Sequence, residues 1–453
     1  MLQLKDKNVL VLGLGDTGLS ALRWLKRQGA LLSVADTRLV PPGLDILQRE
    51  LPEIPIYLGG FSQESFAGAD VIVASPGVAL AEPQIQLALQ QGIPVVGDVE
   101  LFAQFRSPAA KLIAITGANG KSTVTSLVGD MCRAAGLNTV VAGNIGLPVL
   151  DALDDAADVY VLELSSFQLE TTHSLVADAA TVLNISEDHM DRYRGLRDYA
   201  AAKARIFSSL GVQVLNREDS WSKSMALPGR RVVSFGTDAP VSDEAFGLVL
   251  HESEYWLAQG ATRLLKMNEL KITGLHNAAN ALAALALCRA IDLPDAPLLA
   301  ALREFKGLPH RVEWIAEVHD IAFYDDSKGT NVGATCAAIA GLQRKVVLIA
   351  GGDGKGQDFS PLIGPVSSNA RGVVLIGRDA EAIAAALAGT GVLVEYAASL
   401  EQAVEQAYAL AQAGDAVLLS PACASLDMFR HYIHRAQVFV DAVHALVARE
   451  SRP

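Results

Sequence analysis

The stretch Ala114–Leu127 reads AITGANGKSTVTSL, and it decides how the centre of the chain folds. A short apolar run leads into a glycine-rich turn, and the residues after the turn favour a helix, so the stretch predicts a strand, a tight turn and a helix. Most phosphate-binding loops place about four residues between the first glycine and the Gly-Lys-Ser/Thr signature. Only two residues separate Gly117 from Gly120 here. The stretch therefore predicts a shortened loop that binds a nucleoside triphosphate.

The residue types in this loop suit a polyanion. Its glycines let backbone N–H groups point into one concavity, and the helix adds the positive end of its dipole. Lys121 can reach the terminal phosphates, and the hydroxyls of Ser122 and Thr123 suit Mg²⁺. The competing interpretation, an ordinary strand–turn–helix junction, does not account for this combination. The loop indicates a nucleotide and leaves the reaction open.

Composition bounds the class of protein. The sequence has 453 residues, of which 51% are hydrophobic and 6% aromatic. That length is typical of about three domains, and such a chain can bury several cores. The formal net charge of −13 argues against a nucleic-acid partner, because the phosphate backbone attracts basic surfaces. Anionic ligands therefore depend on local lysines, arginines, metal ions and backbone N–H groups.

Two features predict a cytoplasmic protein. The cysteines show no Cys-x-x-Cys spacing and are interpreted as reduced thiols; they are Cys132, Cys288, Cys336 and Cys423. The N-terminal segment MLQLKDKNVLVLGLGDTG contains an apolar run of strand length, which glycine and aspartate interrupt. Such a run is neither a signal peptide nor a membrane span, so we expect no membrane partner.

Apolar runs and amphipathic segments alternate along the chain, which predicts an α/β fold with parallel sheets. The first part contains the predicted strands NVLVLGLG, LLSVADTR and DVIVASPG, with the predicted helix GLSALRWLKRQG between the first two. A second unit opens at KLIAITGANGKST, and a third contains IAFYDDSKGTN, KVVLIAGGDGKG and AVLLSPACAS. Residues 231–274 are predicted to form short β segments, and GLHNAANALAALALCRA a helix. Ligands of such sheets bind beyond the carboxyl ends of the strands, so the polar turns there are the candidate sites.

A glycine cluster follows the first predicted strand. The motif GLGDTG supplies Gly13, Gly15 and Gly18, and Asp36 ends the next predicted strand. This is the dinucleotide-binding pattern, and alone it favours a nicotinamide dehydrogenase. The pattern recognises a diphosphate and a sugar, however, and a nucleotide sugar presents the same groups. Glycines that serve only helix–strand packing are a third interpretation.

Three titratable residues stand out in the second unit. Glu163 ends the apolar run VYVLEL, where a carboxylate is costly unless it meets a cation. His189 follows the predicted strand TVLNIS, and a lone histidine of this kind is more often structural. Both can reach the sheet edge that carries the phosphate loop, where Mg²⁺ needs ligands. Lys203 lies between alanines in YAAAKARI, and spacing alone favours a solvated helical lysine.

Polar turns also end the strands of the last unit. They carry acids, lysines and hydroxyls: Asp325, Asp326, Ser327, Lys328 and Thr330 in YDDSKGTN, Lys355 in GGDGKGQDF, and Ser425 in SPACASLDMF. This mixture suits a nucleotide and an anionic ligand. Ordinary polar caps explain each motif about equally well when it is taken alone.

Together these motifs resemble those of the Mur ligases, the ATP-dependent amide-forming enzymes of peptidoglycan precursor synthesis. The chain carries, in family order, GLGDTGLS, DTR, ASPGVAL, TGANGKSTVTSL, AGNIG, LELSSFQLE, EDHMDRY, AAKARI, GLHNAANA, GLPHR, DDSKGTN, GGDGKGQDFS and LLSPACASLD. They run from Gly13 to Asp427 and cover nearly the whole chain. LELSSFQLE and the short N-terminal domain resemble most closely the members that add D-glutamate.

The resemblance implies three domains. Residues 1–99 would form a Rossmann-like domain that binds a UDP-sugar. Residues 100–307 would form a P-loop ATPase-type parallel sheet. Residues 308–453 would form a dinucleotide-fold-like domain that binds the amino acid and closes over the site.

The resemblance also implies the site residues. ATP is expected at Gly117, Asn119, Gly120, Lys121, Ser122, Thr123, Asn280, Arg311 and Asp326. The UDP-sugar is expected at Asp16, Thr17, Asp36, Thr37, Arg38, Ser75, Pro76, Gly77, Asn144 and His189. D-glutamate is expected at Lys328, Thr330, Lys355, Ser425, Leu426 and Tyr432. A pair of Mg²⁺ ions is expected at Ser122, Glu163, His189 and a carbamylated Lys203. The catalytic residues would be Lys121, Glu163, His189 and Lys203.

The implied reaction joins D-glutamate to UDP-N-acetylmuramoyl-L-alanine with ATP as co-substrate, through an acyl phosphate. CO₂ would supply the carbamate on Lys203, and the enzyme would act as a cytoplasmic monomer. The chain departs from the family pattern at three positions: Asp325 and Gly329 stand where Asn and Ala are expected, and Tyr432 stands where Phe is common.

Four alternatives remain open at this stage. A nicotinamide dehydrogenase explains GLGDTG but not the triphosphate loop. A non-catalytic ATP-dependent binding module explains the loop but not the expected metal ligands. Folylpolyglutamate synthetase shares the ATPase core but lacks the N-terminal domain. A sister Mur ligase that adds a different amino acid shares both the loop and the three domains.

Overall fold

The computed structural model of the chain describes residues 2–342 and 344–450. Its strands form three separate sheets, which follow one another along the chain. The predicted α/β fold class is therefore confirmed. The domain boundaries at residues 99/100 and 307/308 remain a proposal, with each sheet lying inside one of the proposed ranges.

The first sheet has five parallel strands in the order β3-β2-β1-β4-β5. Its strands are β1 (Asn8–Leu12), β2 (Leu31–Asp36), β3 (Ile56–Leu58), β4 (Val71–Ala74) and β5 (Val95–Val96). Its helices are α1 (Asp16–Arg27), α2 (Leu44–Glu50), α3 (Gln63–Phe66), α4 (Pro83–Gln90) and α5 (Asp98–Phe105). Helix α5 leads into the second sheet, where Phe102 meets the ring of Tyr160 edge-on at 5.0 Å.

The second sheet has nine strands in the order β14-β13-β12-β11-β10-β9-β6-β8-β7. They are β6 (Lys111–Thr116), β7 (Thr139–Gly143), β8 (Val159–Glu163), β9 (Ala179–Val182), β10 (Val212–Asn216), β11 (Val232–Phe235), β12 (Ala245–His251), β13 (Glu254–Gln259) and β14 (Thr262–Lys266). Strands β12, β13 and β14 pair antiparallel, and the other pairs are parallel. The prediction of short β segments over residues 231–274 is confirmed.

The helices of this part are α6 (Lys121–Ala134), α7 (Ser166–Glu170), α8 (Leu196–Ala204), α9 (Ser220–Ser224), α10 (Leu275–Ala290) and α11 (Asp295–Glu304). Helix α10 is alanine- and leucine-rich and buried along most of its length, because it packs against both the sheet and α6. The predicted helix in GLHNAANALAALALCRA is confirmed.

The third sheet has six strands in the order β15-β16-β20-β17-β18-β19, antiparallel only between β15 and β16. They are β15 (Glu313–Val318), β16 (Ile321–Asp325), β17 (Val346–Gly351), β18 (Ala370–Ile376), β19 (Leu393–Tyr396) and β20 (Ala416–Leu419). Its helices are α12 (Val332–Gly341), α13 (Ile363–Asn369), α14 (Ala380–Leu387), α15 (Leu400–Leu410) and α16 (Tyr432–Glu450). Across residues 2–342 and 344–450, we find no helix with the length and apolar character needed to span a membrane.

The strand order of the second sheet positions the site. Strand β6 lies between β9 and β8, and all three run parallel. The turns after these strands therefore meet at one edge of the sheet. That edge carries the phosphate loop, Glu163 and the segment that contains His189.

Candidate active site

The phosphate loop connects β6 to α6, as its sequence predicts. Gly120 precedes the helix with a left-handed backbone (φ 83°), and a Cβ built there would lie 2.5 Å from Oδ1 of Asn280. Only glycine combines that backbone with that close approach. The side chain of Asn184 accepts a hydrogen bond from the backbone N–H of Asn119 (2.8 Å) and donates one to its carbonyl (3.0 Å). The loop is thus held in shape from the end of β9.

Lys121 lies at the mouth of this loop. Its ammonium donates to the carbonyl oxygens of Gly117 (2.9 Å) and Ala118 (2.8 Å). Burial lowers the pKa of Lys121, while the carboxylates of Glu163 and Asp188 act in the opposite direction. A triphosphate in the loop offers the ammonium stronger, charged acceptors than two neutral carbonyls.

Glu163 is almost fully buried at the end of β8, with 1% of its surface exposed. Its Oε1 accepts a hydrogen bond from Nδ2 of Asn144 at 2.6 Å. Its Oε2 has no hydrogen-bond partner among the described residues. A buried carboxylate oxygen of this kind is costly unless a cation meets it, so the residue fits the Mg²⁺ that the resemblance implies.

Lys203 is buried as well, with 1% of its surface exposed, so the solvated lysine favoured by spacing alone is wrong. The side chain projects from α8 toward the end of β6, where Nζ lies 3.3 Å from the hydroxyl of Thr116 and 4.6 Å from the centre of the Tyr199 ring. Burial, together with the nearby charge of Lys121, lowers the pKa of Lys203 well below its usual value. A lysine in this state is a neutral amine for a larger fraction of the time.

Asp188 joins the second sheet to the third. Its carboxylate forms an ion pair with the ammonium of Lys355 and accepts a hydrogen bond from Asn331 at 3.4 Å. Burial acts to raise the pKa of Asp188, but the charge of Lys355 outweighs it and the pKa is lowered. His189 follows with a left-handed backbone (φ 58°), and its Nε2 lies 3.7 Å from Asp188. Burial lowers the pKa of His189, which favours the neutral imidazole that metals bind.

Most residues predicted for ATP line one cavity of about 340 Å³ between the second and third sheets. Its lining includes Asn119, Gly120, Thr123, Asn280, Arg311 and Asp326. Arg311 reaches across from the third sheet and donates to the hydroxyl of Ser122 at 2.9 Å. Burial raises the pKa of Asp326 to about 7, although Ser420 donates to its carboxylate at 2.6 Å. Gly117, Lys121 and Ser122 lie beside this cavity, in the loop and the first turn of α6.

A larger cavity of about 790 Å³ lies at the carboxyl edge of the first sheet. Except for His189, all the residues predicted for the UDP-sugar line it: Asp16, Thr17, Asp36, Thr37, Arg38, Ser75, Pro76, Gly77 and Asn144. Burial acts to raise the pKa of Asp36, but hydrogen bonds from Arg38 and from the N–H of Leu14 lower it to about 2. Asp36 therefore fixes the loop and Arg38, whose side chain is half exposed toward the cavity mouth.

The residues predicted for D-glutamate lie on the third sheet and the start of α16. Nζ of Lys328 lies 3.8 Å from the centre of the Tyr432 ring, and burial lowers the pKa of Lys328 to about 8. Lys355 faces Asp188 instead. The other three are Thr330, the buried Ser425 and Leu426, which is 72% exposed. The structure thus joins Lys328 to Tyr432 and leaves the shared role of the six residues a prediction.

Sequence reasoning assigned no role to three residues that organise the site. Asp188 anchors Lys355, Asn184 holds the phosphate loop, and Arg192 donates to the carbonyls of Pro76 (3.0 Å) and Val78 (3.2 Å) across the first two sheets. All three follow β9, within about ten residues of its end. Their place after an apolar strand beside the phosphate-loop strand was the available signal.

Three sheets flanked by helices, a loop of the triphosphate-binding type and a buried carboxylate beside that loop are the features by which the class of this protein can be assigned. The chain matches the MurD-like N-terminal domain over residues 7–97, the Mur ligase middle domain over 115–288 and the Mur ligase glutamate ligase domain over 310–423. The chain belongs to the Mur ligase family.

Two of its curated relatives carry the same name. It is 67% identical over 450 residues to UDP-N-acetylmuramoylalanine--D-glutamate ligase of Methylobacillus flagellatus, with 99% of each chain covered. It is 57% identical to the ligase of that name from Nitrosomonas europaea, with 97% of this chain and 96% of the relative covered.

Solved structures share the fold. A UDP-N-acetylmuramate-alanine ligase from Thermotoga maritima aligns with a TM-score of 0.60 at 21% identity, covering 97% of this chain and 99% of that one. MurF from Acinetobacter baumannii aligns with a TM-score of 0.60 at 19% identity, covering 84% and 86%.

Proposed function

We propose that the protein is an ATP-dependent amide ligase that joins D-glutamate to UDP-N-acetylmuramoyl-L-alanine in peptidoglycan precursor synthesis. One observation carries the proposal: the hydrogen bond between Asn144 and Glu163 links the large cavity to the triphosphate site. Asn144 lines the cavity that would hold the UDP-sugar, and Glu163 lies at the end of the strand beside the phosphate loop. The acceptor carboxylate and the γ-phosphate would therefore meet near this pair. The shared name of the curated relatives supports the same reaction.

The first step brings an anion to a polyanion. The L-alanine carboxylate attacks the γ-phosphorus of ATP, the bond to the β,γ-bridging oxygen breaks, and an acyl phosphate and ADP form. Two unit charges about 4 Å apart repel by about 4 kcal/mol at an effective dielectric near 20. Lys121 and Arg311 lie where they can offset this repulsion, because both border the phosphate loop.

A pair of magnesium ions and a carbamate are part of the proposal. Glu163, Ser122 and His189 would hold the metal, as would a carbamate that CO₂ forms on Lys203. The lowered pKa of Lys203 supports this, because the neutral amine is the form that reacts with CO₂. Bound magnesium would supply charge neutralisation for the phosphates. The carbamate would replace a cationic side chain with oxygen ligands that suit a hard metal ion.

In the second step the amine of D-glutamate attacks the acyl carbon, and phosphate leaves. Lys328 and Lys355 are the cations that we assign to the carboxylates of D-glutamate. Holding all three substrates in one site can lower the barrier by roughly 7–11 kcal/mol through proximity. A water-free site also protects the acyl phosphate from hydrolysis.

The enzyme we propose acts as a monomer in the cytoplasm, where ATP and UDP-linked precursors are made. The residues that we assign to the three substrates all belong to one chain, in the proposed domains 1–99, 100–307 and 308–453. Size-exclusion chromatography with light scattering tests the monomer, which has a mass of 47.8 kDa.

The deciding experiment is phosphate release by the purified protein with Mg²⁺, ATP and UDP-N-acetylmuramoyl-L-alanine. D-glutamate, L-glutamate, L-lysine and meso-diaminopimelate are added separately. Release with D-glutamate alone is the expected result. Release with a different amino acid would keep the mechanism and assign a sister activity, and release with none of the four would overturn the proposal.

A further inference from the structure

Asp325 and Tyr432, two positions where the resemblance predicts a different residue, are linked by a series of contacts. Asp325 ends β16 and is completely buried. Its Oδ1 accepts a hydrogen bond from the backbone N–H of Ser327 (2.8 Å), and its Oδ2 lies 2.6 Å from Nδ1 of His310. The carboxylate thus ties the turn after β16 to the segment that precedes β15.

His310 in turn contacts Tyr432, the second of these two positions. The backbone carbonyl of His310 accepts the N–H of Lys328 at 3.2 Å. Its ring meets the ring of Tyr432 edge-on, with centroids 6.1 Å apart, and Nζ of Lys328 lies 3.8 Å from the centre of that same ring. His310 keeps a left-handed backbone (φ 63°), which is uncommon for a non-glycine residue and needs support from its surroundings.

We propose that Asp325, acting through His310, is a positioning residue that holds Lys328 and Tyr432 in place for the amino-acid substrate. The proposal rests on the proposed function only in that Lys328 faces the amino acid. A lysine side chain has several rotatable bonds, and a cation–π contact alone is a soft constraint. The Asp325–His310 pair restricts the motion of the Tyr432 ring, on which the ammonium of Lys328 rests.

A metal site is the competing explanation for these residues. His310, Glu313 and Asp325 place one ligand atom each within 4.8 Å of one another. Both oxygens of Asp325 already meet protein groups, however, and one oxygen of Glu313 accepts the N–H of His310 at 2.8 Å. These contacts favour the positioning role.

Steady-state kinetics with each substrate varied in turn test the proposal. Asp325→Ala is expected to raise the KM for D-glutamate about 10-fold and to leave the KM for ATP and for the UDP-sugar within about twofold, because only the amino-acid side loses its support. Asp325→Asn is expected to keep the KM for D-glutamate within about threefold of the wild-type value, since its amide can accept from Ser327 and donate to His310.

Two further variants separate positioning from loss of fold. Asp415→Ala is the matched control. Asp415 is also buried in the third sheet, but it pairs with Arg371 at the start of β20, whereas Asp325 lies beside the end of that strand. It should lower the melting temperature without changing the KM for D-glutamate. His310→Asn keeps a residue that tolerates the left-handed backbone and removes the ring, so it should raise that KM as Asp325→Ala does, and the double variant should add little.

The positioning role is overturned if Asp325→Ala and His310→Asn leave the D-glutamate KM unchanged, or raise all three KM values alike. A wild-type protein that prefers another amino acid would overturn only the proposed substrate. The same comparison of KM values would then be made with that amino acid.

Discussion

Lys203 is buried and has a lowered pKa, although its sequence neighbours suggest an ordinary solvated lysine. Alanines flank it on α8, yet the helix turns this side chain inward, beside Thr116 and toward the charges of Lys121 and Glu163. Burial in that place lowers its pKa, so the amine spends more time without its proton. A carbamate on this nitrogen would replace a disfavoured cation with an anion near the ammonium of Lys121.

Lys203→Ala is expected to lower ligase activity by about 100-fold or more, the upper range for loss of a group that supports metal binding. Millimolar acetate or formate should restore part of the activity, because a small carboxylate can occupy the space and supply the missing oxygens. Phosphate release measures both effects, and a carbamate carbon signal in ¹³C NMR after incubation with labelled bicarbonate tests the modification directly.

The exposed lysine Lys223 is the control for this substitution. Lys223→Ala should leave both the activity and the carbamate signal unchanged. Full activity of Lys203→Ala would remove Lys203 from the mechanism.

At the residue scale, sequence patterns located functional groups but not their surroundings. The Gly-Lys-Ser-Thr signature predicted the nucleotide loop, because backbone geometry and chemistry there lie within a few consecutive residues. The spacing around Lys203 predicted a solvated side chain and was wrong, since tertiary packing decides which face of an alanine-rich helix is buried. The role of Asp188 could not be predicted, because its partner Lys355 lies 167 residues away.

Helix α5 begins with a buried carboxylic acid. Asp98 is 3% exposed, and its Oδ1 has no hydrogen-bond partner among the described residues. Burial raises the pKa of Asp98 to about 6, although backbone N–H groups at the start of the helix act to lower it. The native protein therefore keeps this proton at a pH where the unfolded chain has lost it.

Asp98→Asn should consequently change the pH dependence of stability. Between about pH 4 and 6 the unfolded chain binds fewer protons at this position than the native protein, so the wild-type free energy of unfolding falls as the pH rises. The fall reaches at most about 3 kcal/mol and ends above pH 6. The difference in stability between the variant, which cannot ionise, and the wild type should shift in favour of the variant across that window and stay constant above it.

Urea unfolding at pH 4, 5, 6 and 7 measures this difference. Asp70→Asn serves as a control, because Asp70 is more exposed and bonds to the N–H of Asn8. A difference between wild type and Asp98→Asn that does not grow between pH 4 and 6 would contradict the prediction.

Helix α16 is anchored by a buried arginine. Arg435 is 1% exposed and donates to the carbonyl of Ser327 (2.8 Å), the hydroxyl of Ser327 (3.1 Å) and the carbonyl of Cys423 (3.1 Å). Burial lowers its pKa to about 10. The side chain thus ties the helix to the turn that carries Lys328.

Arg435→Ala is expected to destabilise the protein by about 2–4 kcal/mol, because it leaves buried carbonyls without donors and opens a cavity. Arg449→Ala is the matched control on the same helix; Arg449 pairs with Glu405 at the surface, so little change is expected. Chemical denaturation compares the two variants. Equal stabilities of both variants would show that Arg435 does not anchor the helix.

At the scale of elements, periodicity predicted where the strands lie but not whether neighbouring strands pair parallel or antiparallel. The short β segments over residues 231–274 were predicted, but not that β12, β13 and β14 turn antiparallel at the edge of a parallel sheet. Hairpin turns at Glu252–Ser253 and Gly260 make that change, and strand sense depends on connections that hydrophobic pattern does not encode. The sequence did not predict the anchoring role of Arg435 either, since its partners are mostly backbone carbonyls, which no side-chain pattern reveals.

At the scale of the whole molecule, a few polar side chains join the second and third sheets across the cavity proposed for ATP. Arg311 donates to Ser122, Asn331 donates to Asn119 at 3.0 Å, and Lys355 pairs with Asp188. The resemblance implied that the last domain closes over the site, and closure itself stays a prediction. Sequence spacing alone could not provide them, because Ser122 and Arg311 are 189 residues apart.

The substrate-free protein should open when one of these contacts is removed. Lys355→Met takes away the cation that faces Asp188 and leaves a buried carboxylate opposite an apolar side chain, which favours an arrangement that returns Asp188 to water. Small-angle X-ray scattering should show a larger radius of gyration for the variant than for wild type, and a compact chain of this length has a radius of about 22 Å. Addition of a non-hydrolysable ATP analogue should reduce the difference, because the residues assigned to ATP lie on both sides of the opening: Asn119 and Thr123 beside the second sheet, Arg311 and Asp326 beside the third.

Arg378→Met is the control for that experiment. Arg378 is also a cation of the third sheet, but it pairs with Asp353 in the same part of the chain at 3.0 Å and does not cross to the second sheet. Its radius of gyration should equal that of wild type, since no contact between the sheets is lost. Equal radii for Lys355→Met and wild type without ligands would mean that the hydrogen bonds of Arg311 and Asn331 suffice to hold the sheets together, and that substrate binding has no opening to reverse.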